Sequence, residues 1–444
     1  MVLINDVSKS VTLAMNKAIK VEGHEIKALL ASLAMFFALL AAYYIVRPLR
    51  EEMGVVVGDE RRASLFTVVF VVMLLAVPLF GWVASKFQRR FVLPTLYCFF
   101  AINLLIYWLI FRAHGTSSLS ASVFYVWASV FNLFVISLFW SLMSEMWSND
   151  EAKRLYGFIS AGGTAGGLAG PLLTQTLVGF LAPTDLLLVS AVMLLVALAM
   201  GMILRGIRTA RVGAESTPAG GGIFDGAAKV FSSPYFAGIA LFVFLANIVG
   251  TLFYNEQLRL VGATMTDPTT RVRFFADRDL LVSVATITIE IFGTAAIFRR
   301  FGITGALIAL PVVAILGTLA LSLHPILWMA AAVMVAERVT AFALSSPAIK
   351  VMYTQTMPDE KYKVQNFVDT VVYRGGDAVS GWLFALLSGG AGFASTWVPA
   401  VALPLAGVWY LTAHKMAESY EAKERSAATQ SFADEKKPSA AAVV

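Results

Sequence analysis

The sequence predicts an all-α integral membrane protein with about twelve transmembrane helices. Of its 444 residues, 58% are hydrophobic and 14% are charged, and the mean hydropathy is +0.76. An ordinary soluble domain has roughly 45–50% apolar and about 25% charged residues. A helix that crosses the hydrocarbon needs about 20 mostly apolar residues, and runs of this length recur along the chain. Short alternating segments, which are typical of a β-barrel, are not the pattern here.

The apolar runs define the twelve spans in order. They lie at about 26–46, 63–84, 91–111, 121–143, 155–180, 184–204, 235–257, 278–298, 303–323, 326–345, 366–390 and 394–412. Every second connection is basic, from Arg89 and Arg90 in the first such loop to Arg299 and Arg300 in the fourth. By the positive-inside rule these loops and both termini are expected in the cytoplasm of a bacterial inner-membrane protein. The loop after span seven, with Arg271, departs from this pattern.

The remaining composition excludes several classes of function. The net charge of +6 follows from the topology and gives no sign of nucleic-acid binding. Cys98 is the only cysteine and the four histidines are not paired at ligand spacing, so no metal or other cofactor is expected. The sequence contains no phosphate-binding G-x-x-x-x-G-K-[ST] loop and no catalytic set, so we expect neither an ATP-driven pump nor an enzyme.

An internal repeat divides the chain into two halves. A shift of 209 or 210 residues places Arg89-Arg90 on Arg299-Arg300, and Gly166-Gly167 on Gly375-Gly376. Six spans separate the matching positions, so both halves run in the same direction. We therefore expect six-helix halves at 26–204 and 235–412, joined by a cytoplasmic linker at 205–234 that contains "STPAGGG". Residues 1–25 are expected to be cytoplasmic, and the tail 413–444 to be a frayed helix followed by disorder.

This plan resembles the major facilitator superfamily. "GWVASKFQRR" (residues 81–90) is similar to the superfamily's loop between spans two and three, with Ser85 where aspartate is usual. "GLAGP" (residues 167–171) is similar to its span-five G-x-x-x-G-P signature. The resemblance implies two parallel six-helix halves and a secondary transporter.

Charged residues in the middle of spans are the strongest functional signal, because an ionisable group there costs several kcal/mol. Glu290 lies in span eight, Glu337 and Arg338 in span ten, and Arg374 and Asp377 in span eleven. Arg374 and Asp377 are three residues apart and can pair on one helix face. Two interpretations stay open: a static ion-pair network, or a cavity in which an arginine binds an anion and a carboxylate takes up a proton.

Smaller polar and small-residue features accompany these charges. Gly162, Gly166 and Gly170 in span five are four apart, which favours close helix packing or a sliding contact. Asn132 in span four and Asn247 in span seven could line a cavity, although a hydrogen bond between helices is the simpler use.

Three longer stretches are similar to the ATP/ADP translocase family, the nucleotide exchangers of plastids and intracellular bacteria. They are "YYIVRPLREEMGVVVG" (43–58), "SLFWSLMSEMWSNDEAKRLYGFISAGG" (137–163) and "FVDTVVYRGGD" (367–377), with Asp369 and Arg374 in place. The resemblance implies that Arg47, Arg50 and Arg374 bind phosphates; anchoring of Arg47 and Arg50 at the membrane surface is the alternative. The chain departs from this family near Ser129 and Gly250, where the exchangers carry acidic residues, and at Asp377, where they carry a lysine.

Together the patterns predict a secondary transporter for a small organic anion, with a nucleotide or phosphorylated metabolite as the expected class, driven by exchange or proton coupling. The alternatives are a proton-driven exporter of drugs or metabolites and a non-transporting receptor or scaffold. The expected partners are an anionic small molecule and the lipid bilayer. The predicted substrate-binding residues are Arg47, Arg50, Arg338, Arg374, Asn132 and Asn247, and the predicted coupling residues are Glu290, Glu337, Asp369 and Asp377.

Overall fold

Twelve long helical segments build the part of the chain that the computed structural model describes, namely residues 21–86, 89–208, 225–355, 358–389 and 397–435, and these residues contain no strand. The first six segments are α1 (Ile26–Val57), α2 (Asp59–Lys86), α3 (Arg89–His114), α4 (Ser118–Met146), α5 (Asn149–Leu177) and α6 (Leu186–Ile207). A short linker helix, Asp225–Ser232, precedes the second six.

The second six segments include two with a π-helical turn. They are α7 (Pro234–Thr264), α8 (Pro268–Phe292), α9 (Thr294–Leu323), α10 (Leu327–Thr340 and Ser346–Met352 around the π turn Ala341–Ser345), α11 (Pro358–Phe367 and Tyr373–Gly389 around the π turn Val368–Val372) and α12 (Trp397–Glu435). Eight of the twelve described segments, α1 to α4, α6, α7, α9 and α10, are long and apolar enough to cross a membrane. The predicted all-α membrane fold is confirmed.

Several boundaries differ from the predicted spans; α1, for example, ends at Val57 and not at 46. Helix α8 begins at Pro268, earlier than the predicted 278, because charged residues in its first turns are buried in ion pairs that hydropathy cannot foresee. Arg299 and Arg300 lie inside α9, just before Gly302, which interrupts that helix with a φ of 65°. Helix α12 continues to Glu435, well beyond the predicted end at 412. Residues 209–224, with "STPAGGG", and 87–88 of the span-two motif lie outside the described residues.

The chain forms two compact units. The first unit contains α1, α2 from Val71, α3 to α6, and the segment Val261–Ser283 from the end of α7 and the start of α8. The second unit contains Asp59–Phe70 of α2, the linker helix, α7 through Leu260, the last turns of α8, and α9 to α12.

In the first unit α1 packs backbone to backbone against the glycine stripe of α5. A Cβ on Gly170 would lie 3.0 Å from the Ala41 carbonyl oxygen and 2.6 Å from the Cβ of Tyr44. Gly162 and Gly166 face the carbonyl oxygens of Leu33 and Phe37 in the same way. Carbonyls four residues apart on α1 therefore match glycines four residues apart on α5, which confirms the predicted close packing.

The second unit repeats this arrangement between α11 and α7. A Cβ on Gly376 would lie 2.8 Å from the Cβ of Asn247 and 3.2 Å from the Phe244 carbonyl oxygen. The Ser380 hydroxyl donates to the Ile248 carbonyl over 2.8 Å and ties the same two helices. This contact places the charged turn of α11 beside the middle of α7.

Candidate functional site

The carboxylate of Glu337 lies against a bare stretch of backbone on α7. Its Oε1 is 3.1 Å from the position that a Cβ on Gly250 would occupy. Glu337 makes no hydrogen bond or ion pair with any of the described residues. The glycine at 250 therefore leaves room for a carboxylate that has no cationic partner among the described residues.

The neighbouring Arg338 is also without an ion-pair partner in the described part of the chain. Its Nε is fully buried and donates no hydrogen bond. Arg338 as a whole is half-buried, but an ionisable group inside a membrane helix is costly and is retained where it serves a function. Glu337 and Arg338 are adjacent on α10 and so point in different directions, as the sequence predicts.

The predicted pair of Arg374 and Asp377 is present on α11. Arg374 Nη1 lies 3.3 Å from Asp377 Oδ2, and the Thr251 hydroxyl donates to Asp377 Oδ1 over 2.9 Å. Gly250 and Thr251 are consecutive, so carboxylates from α10 and α11 border the same turn of α7. We call Glu337, Arg374, Asp377 and Thr251 the α7 charge site, and Arg338 follows Glu337 on α10.

The other predicted residues of the second unit lie outside these contacts. Asn247 donates to the carbonyl of Val243 in its own helix over 2.8 Å, and among the described residues it makes no hydrogen bond to another helix. Asp369 lies exposed in the π turn of α11. Glu290 lies in the last turn of α8 with an exposed side chain. Asn132 lies on α4 in the first unit, and its buried Oδ1 accepts no hydrogen bond from the described residues.

Arg47 and Arg50 belong to a buried charge cluster where the end of α1 meets α8. Arg47 Nε lies 3.3 Å from Asp279 Oδ2, and Arg278 Nη2 lies 2.8 Å from Asp279 Oδ1. Arg50 Nη1 lies 3.6 Å from Glu51 Oε1. The side chains of Glu51, Arg278 and Asp279 are each only 1% exposed.

Aromatic rings complete this cluster. The guanidinium carbon of Arg50 lies 4.0 Å from the ring centroid of Tyr125, and that of Arg47 lies 5.5 Å from the ring of Tyr44. Contacts of this kind stabilise a desolvated guanidinium. The structure thus places both arginines among buried partners, whereas an anchor at the membrane surface would leave the guanidinium in solvent.

Sequence reasoning missed the α8 half of the cluster. Arg271 Nη1 lies 3.3 Å from Glu52 Oε1, which accounts for the basic residue that departed from the positive-inside pattern. Arg278 and Asp279 could have been found in the same way. They lie at the start of an apolar span, and charged residues there need partners on other helices.

A second ion-pair group fixes the turn between α4 and α5. Arg208 donates to both carboxylate oxygens of Glu151, over 2.7 and 3.2 Å, and to the Met146 carbonyl over 2.7 Å. Its guanidinium carbon lies 4.0 Å from the ring centroid of Trp147. The hydrogen bond from Arg208 lowers the pKa of Glu151 to about 2, with help from the capping Ser148.

Among the described residues, one group of three side chains is close enough together to be considered as a metal site. His24, Glu25 and Glu151 offer ligand atoms within 4.8 Å of one another. Arg154 lies 2.8 Å from Glu25 and Arg208 lies 2.7 Å from Glu151, so both carboxylates already carry a cationic partner. This arrangement disfavours a metal cation.

Comparison with solved structures places the fold among transporters. The chain matches a mutant form of the nucleoside transporter NupG with a TM-score of 0.66 and 14% identity, over 88% of this chain and 99% of that one. The chain therefore shares its overall fold with this solved transporter. It is also similar to an autoinhibited peptide transporter of the POT family, with a TM-score of 0.62 and 12% identity over 90% and 96% of the two chains.

A bacterial homologue of the iron transporter ferroportin gives a TM-score of 0.61 and 14% identity, over 89% of this chain and 98% of that one. At these identities the likeness extends to the fold alone. No protein-family model and no curated protein matches the sequence.

Proposed function

We propose that this protein is a secondary transporter that moves a small organic anion by alternating access, with Arg338 as the anion-binding group and Glu337 as the proton-accepting group. The observation that carries the proposal is the pair itself: both side chains lie in a membrane helix, and neither has a partner among the described residues. An ionisable side chain without a partner is costly in a membrane helix, and a bound anion and a proton would each lower that cost.

The contacts of the described residues distinguish between Arg374 and Arg338. Arg374 is held by Asp377, and Asp377 is held by Thr251, so both are already engaged. An anion that bound to Arg374 would have to compete with a carboxylate 3.3 Å away. Arg338 presents no such competition, and its planar guanidinium suits phosphate and carboxylate oxygens.

The similarity to the ATP/ADP translocase family supports a nucleotide or another phosphorylated metabolite as the anion. Those exchangers carry an acidic residue in span seven near Gly250. In this chain the Glu337 carboxylate lies beside Gly250, so α10 supplies a negative charge at the place where α7 lacks one. The bacterial inner membrane, with both termini in the cytoplasm, is part of the same proposal.

The test is uptake by purified protein in liposomes. Labelled ATP is offered to vesicles loaded with ADP, and labelled inorganic phosphate is offered to empty vesicles with an imposed proton gradient. We expect uptake in at least one arm and a loss of at least about ten-fold in Arg338→Ala. Arg425→Ala is the control, because its side chain is 78% exposed on α12. Unchanged uptake in folded Arg338→Ala would overturn the role of Arg338.

Glu337→Gln separates coupling from binding. The neutral amide cannot take up a proton, so accumulation driven by the proton gradient should fall while exchange persists. Glu418→Gln, with a side chain that is 65% exposed on α12, is the matched control. Equal loss of exchange and accumulation in Glu337→Gln would assign Glu337 to binding instead of coupling.

A second candidate is a proton-driven exporter of cationic compounds. The predicted site residues of the second unit include four carboxylates, Glu290, Glu337, Asp369 and Asp377, against the two arginines Arg338 and Arg374. Efflux of ethidium from proteoliposomes, together with no uptake of ATP or phosphate, would select this candidate. If neither class moves and the variants change only stability, the receptor or scaffold alternative is favoured.

A further inference from the structure

Pro347 leaves one backbone acceptor of α10 without its regular donor. In an α-helix the N–H of residue 347 donates to the carbonyl of residue 343, and proline has no N–H. The helix widens just before this point, where the N–H of Ser346 donates five residues back to the Ala341 carbonyl. The carbonyl of Ala343, which is buried, therefore lacks the backbone donor that it would have in a regular α-helix.

Thr294, the first residue of α9, supplies that donor. Its hydroxyl oxygen lies 2.9 Å from the Ala343 carbonyl oxygen and 3.1 Å from that of Ile289. The Ile289 carbonyl already accepts from the N–H of Gly293 over 2.7 Å. A hydroxyl has one proton and can donate one full hydrogen bond. We assign that bond to the Ala343 carbonyl, because this contact is the shorter one and this carbonyl lacks its α-helical donor.

The π turn is connected directly to the charged pair. The N–H of Ala341, the first residue of the turn, is shared between the carbonyls of Glu337 and Arg338. A residue gained or lost in this turn rotates the preceding helix by about 100°. Whatever fixes the π turn thus fixes the directions of both side chains.

We propose that Thr294 is a positioning residue that holds the π turn of α10 in place and thereby aims Glu337 and Arg338. The proposal rests on the transport role given to those two residues. The connection between α8 and α9 would then also stabilise α10, because Thr294 in this connection donates the hydrogen bond that Pro347 cannot donate.

The hydrogen bond is tested by a cycle of stabilities. Thr294→Val removes the hydroxyl at nearly constant volume and should lower the melting temperature of the purified protein, whereas Thr294→Ser should not. Pro347→Ala gives the Ala343 carbonyl its own donor, so Thr294→Val should cost less stability in that background. Equal costs in both backgrounds would overturn the assignment of the bond.

Positioning is tested with the ATP and phosphate uptake assay. We expect Thr294→Val to lower the uptake rate by about five- to ten-fold, the factor to which one hydrogen bond corresponds, and Thr294→Ser to restore it. Thr294→Val with Pro347→Ala should recover stability but not uptake. Recovery of both would reduce Thr294 to a structural role and overturn the proposal. Normal uptake in Thr294→Val beside an inactive Arg338→Ala would overturn it while leaving the transport function intact.

A register measurement covers the case in which neither probe is transported. Cys98→Ala removes the only cysteine of the sequence. Ala336→Cys then provides one attachment site for a nitroxide, at an exposed position one residue before Glu337. Thr294→Val should change the mobility of this label, and Thr294→Ser should not. An unchanged spectrum in Thr294→Val would show that the hydroxyl does not set the register.

Discussion

Arg47 Nε lies 3.3 Å from Asp279 Oδ2, and this contact joins the end of the first helix to the middle of the eighth. The two side chains are 10% and 1% exposed, so solvent screens the pair weakly. A buried pair of this kind adds little net stability as a whole, but the loss of one partner leaves an uncompensated charge.

Arg47→Ala is therefore expected to destabilise the protein by about 3 kcal/mol. The measurement is the thermal unfolding midpoint in detergent. Arg47→Asp combined with Asp279→Arg should recover part of the loss, because it restores one positive and one negative charge at the contact. Arg112→Ala is the control, since its side chain is 64% exposed. A midpoint for Arg47→Ala equal to that of the control would show that the pair carries no such cost.

Gly166→Ala should disrupt the packing of α1 on α5. The new methyl group would meet the carbonyl of Phe37 on α1, and a backbone atom cannot rotate away. Overpacking of this kind costs about 1–3 kcal/mol. Gly157→Ala on the same helix is the matched control, because a Cβ there has no atom within 4 Å. Similar midpoints for the two variants would contradict the close approach.

The lowered pKa of Glu151 predicts that the protein loses stability at low pH. Arg208 holds the pKa of Glu151 at about 2, below the ordinary 4.5. The stabilising effect is complete above the unfolded pKa and disappears as the pH falls from about 4.5 towards 2. Unfolding measured across this interval should show a smaller pH dependence in Arg208→Ala. If the unmodified protein and Arg208→Ala showed the same pH dependence of unfolding, the ion pair of Glu151 with Arg208 would not be its cause.

Gly250→Ala tests the space beside Glu337. A methyl group at 250 would lie 3.1 Å from the Glu337 carboxylate and should displace it, so uptake in the ATP or phosphate assay should fall by about ten-fold with little change in unfolding. Gly375→Ala on α11 is the control, because a Cβ there has nothing within 4 Å. Full activity in Gly250→Ala would indicate that the position of this carboxylate is not critical.

Several features of the site could be read from local spacing. Arg374 and Asp377 pair because residues three apart share a helix face, and this follows from helix geometry without any knowledge of neighbours. The glycine stripe of α5 predicted a close helix contact for the same reason, although the identity of the partner, α1, did not follow from the stripe.

The sequence by itself determined the long apolar helices and the all-α membrane fold, because a bilayer requires long apolar runs wherever a chain crosses it. It also placed unusual charges in mid-span. Only the tertiary structure decided which charges of the described chain are neutralised: Asp279 meets Arg47, while Glu337 and Arg338 find no partner among the described residues. The reason is physical, since the energy of a buried charge depends on groups that lie far away in sequence and are brought close by packing.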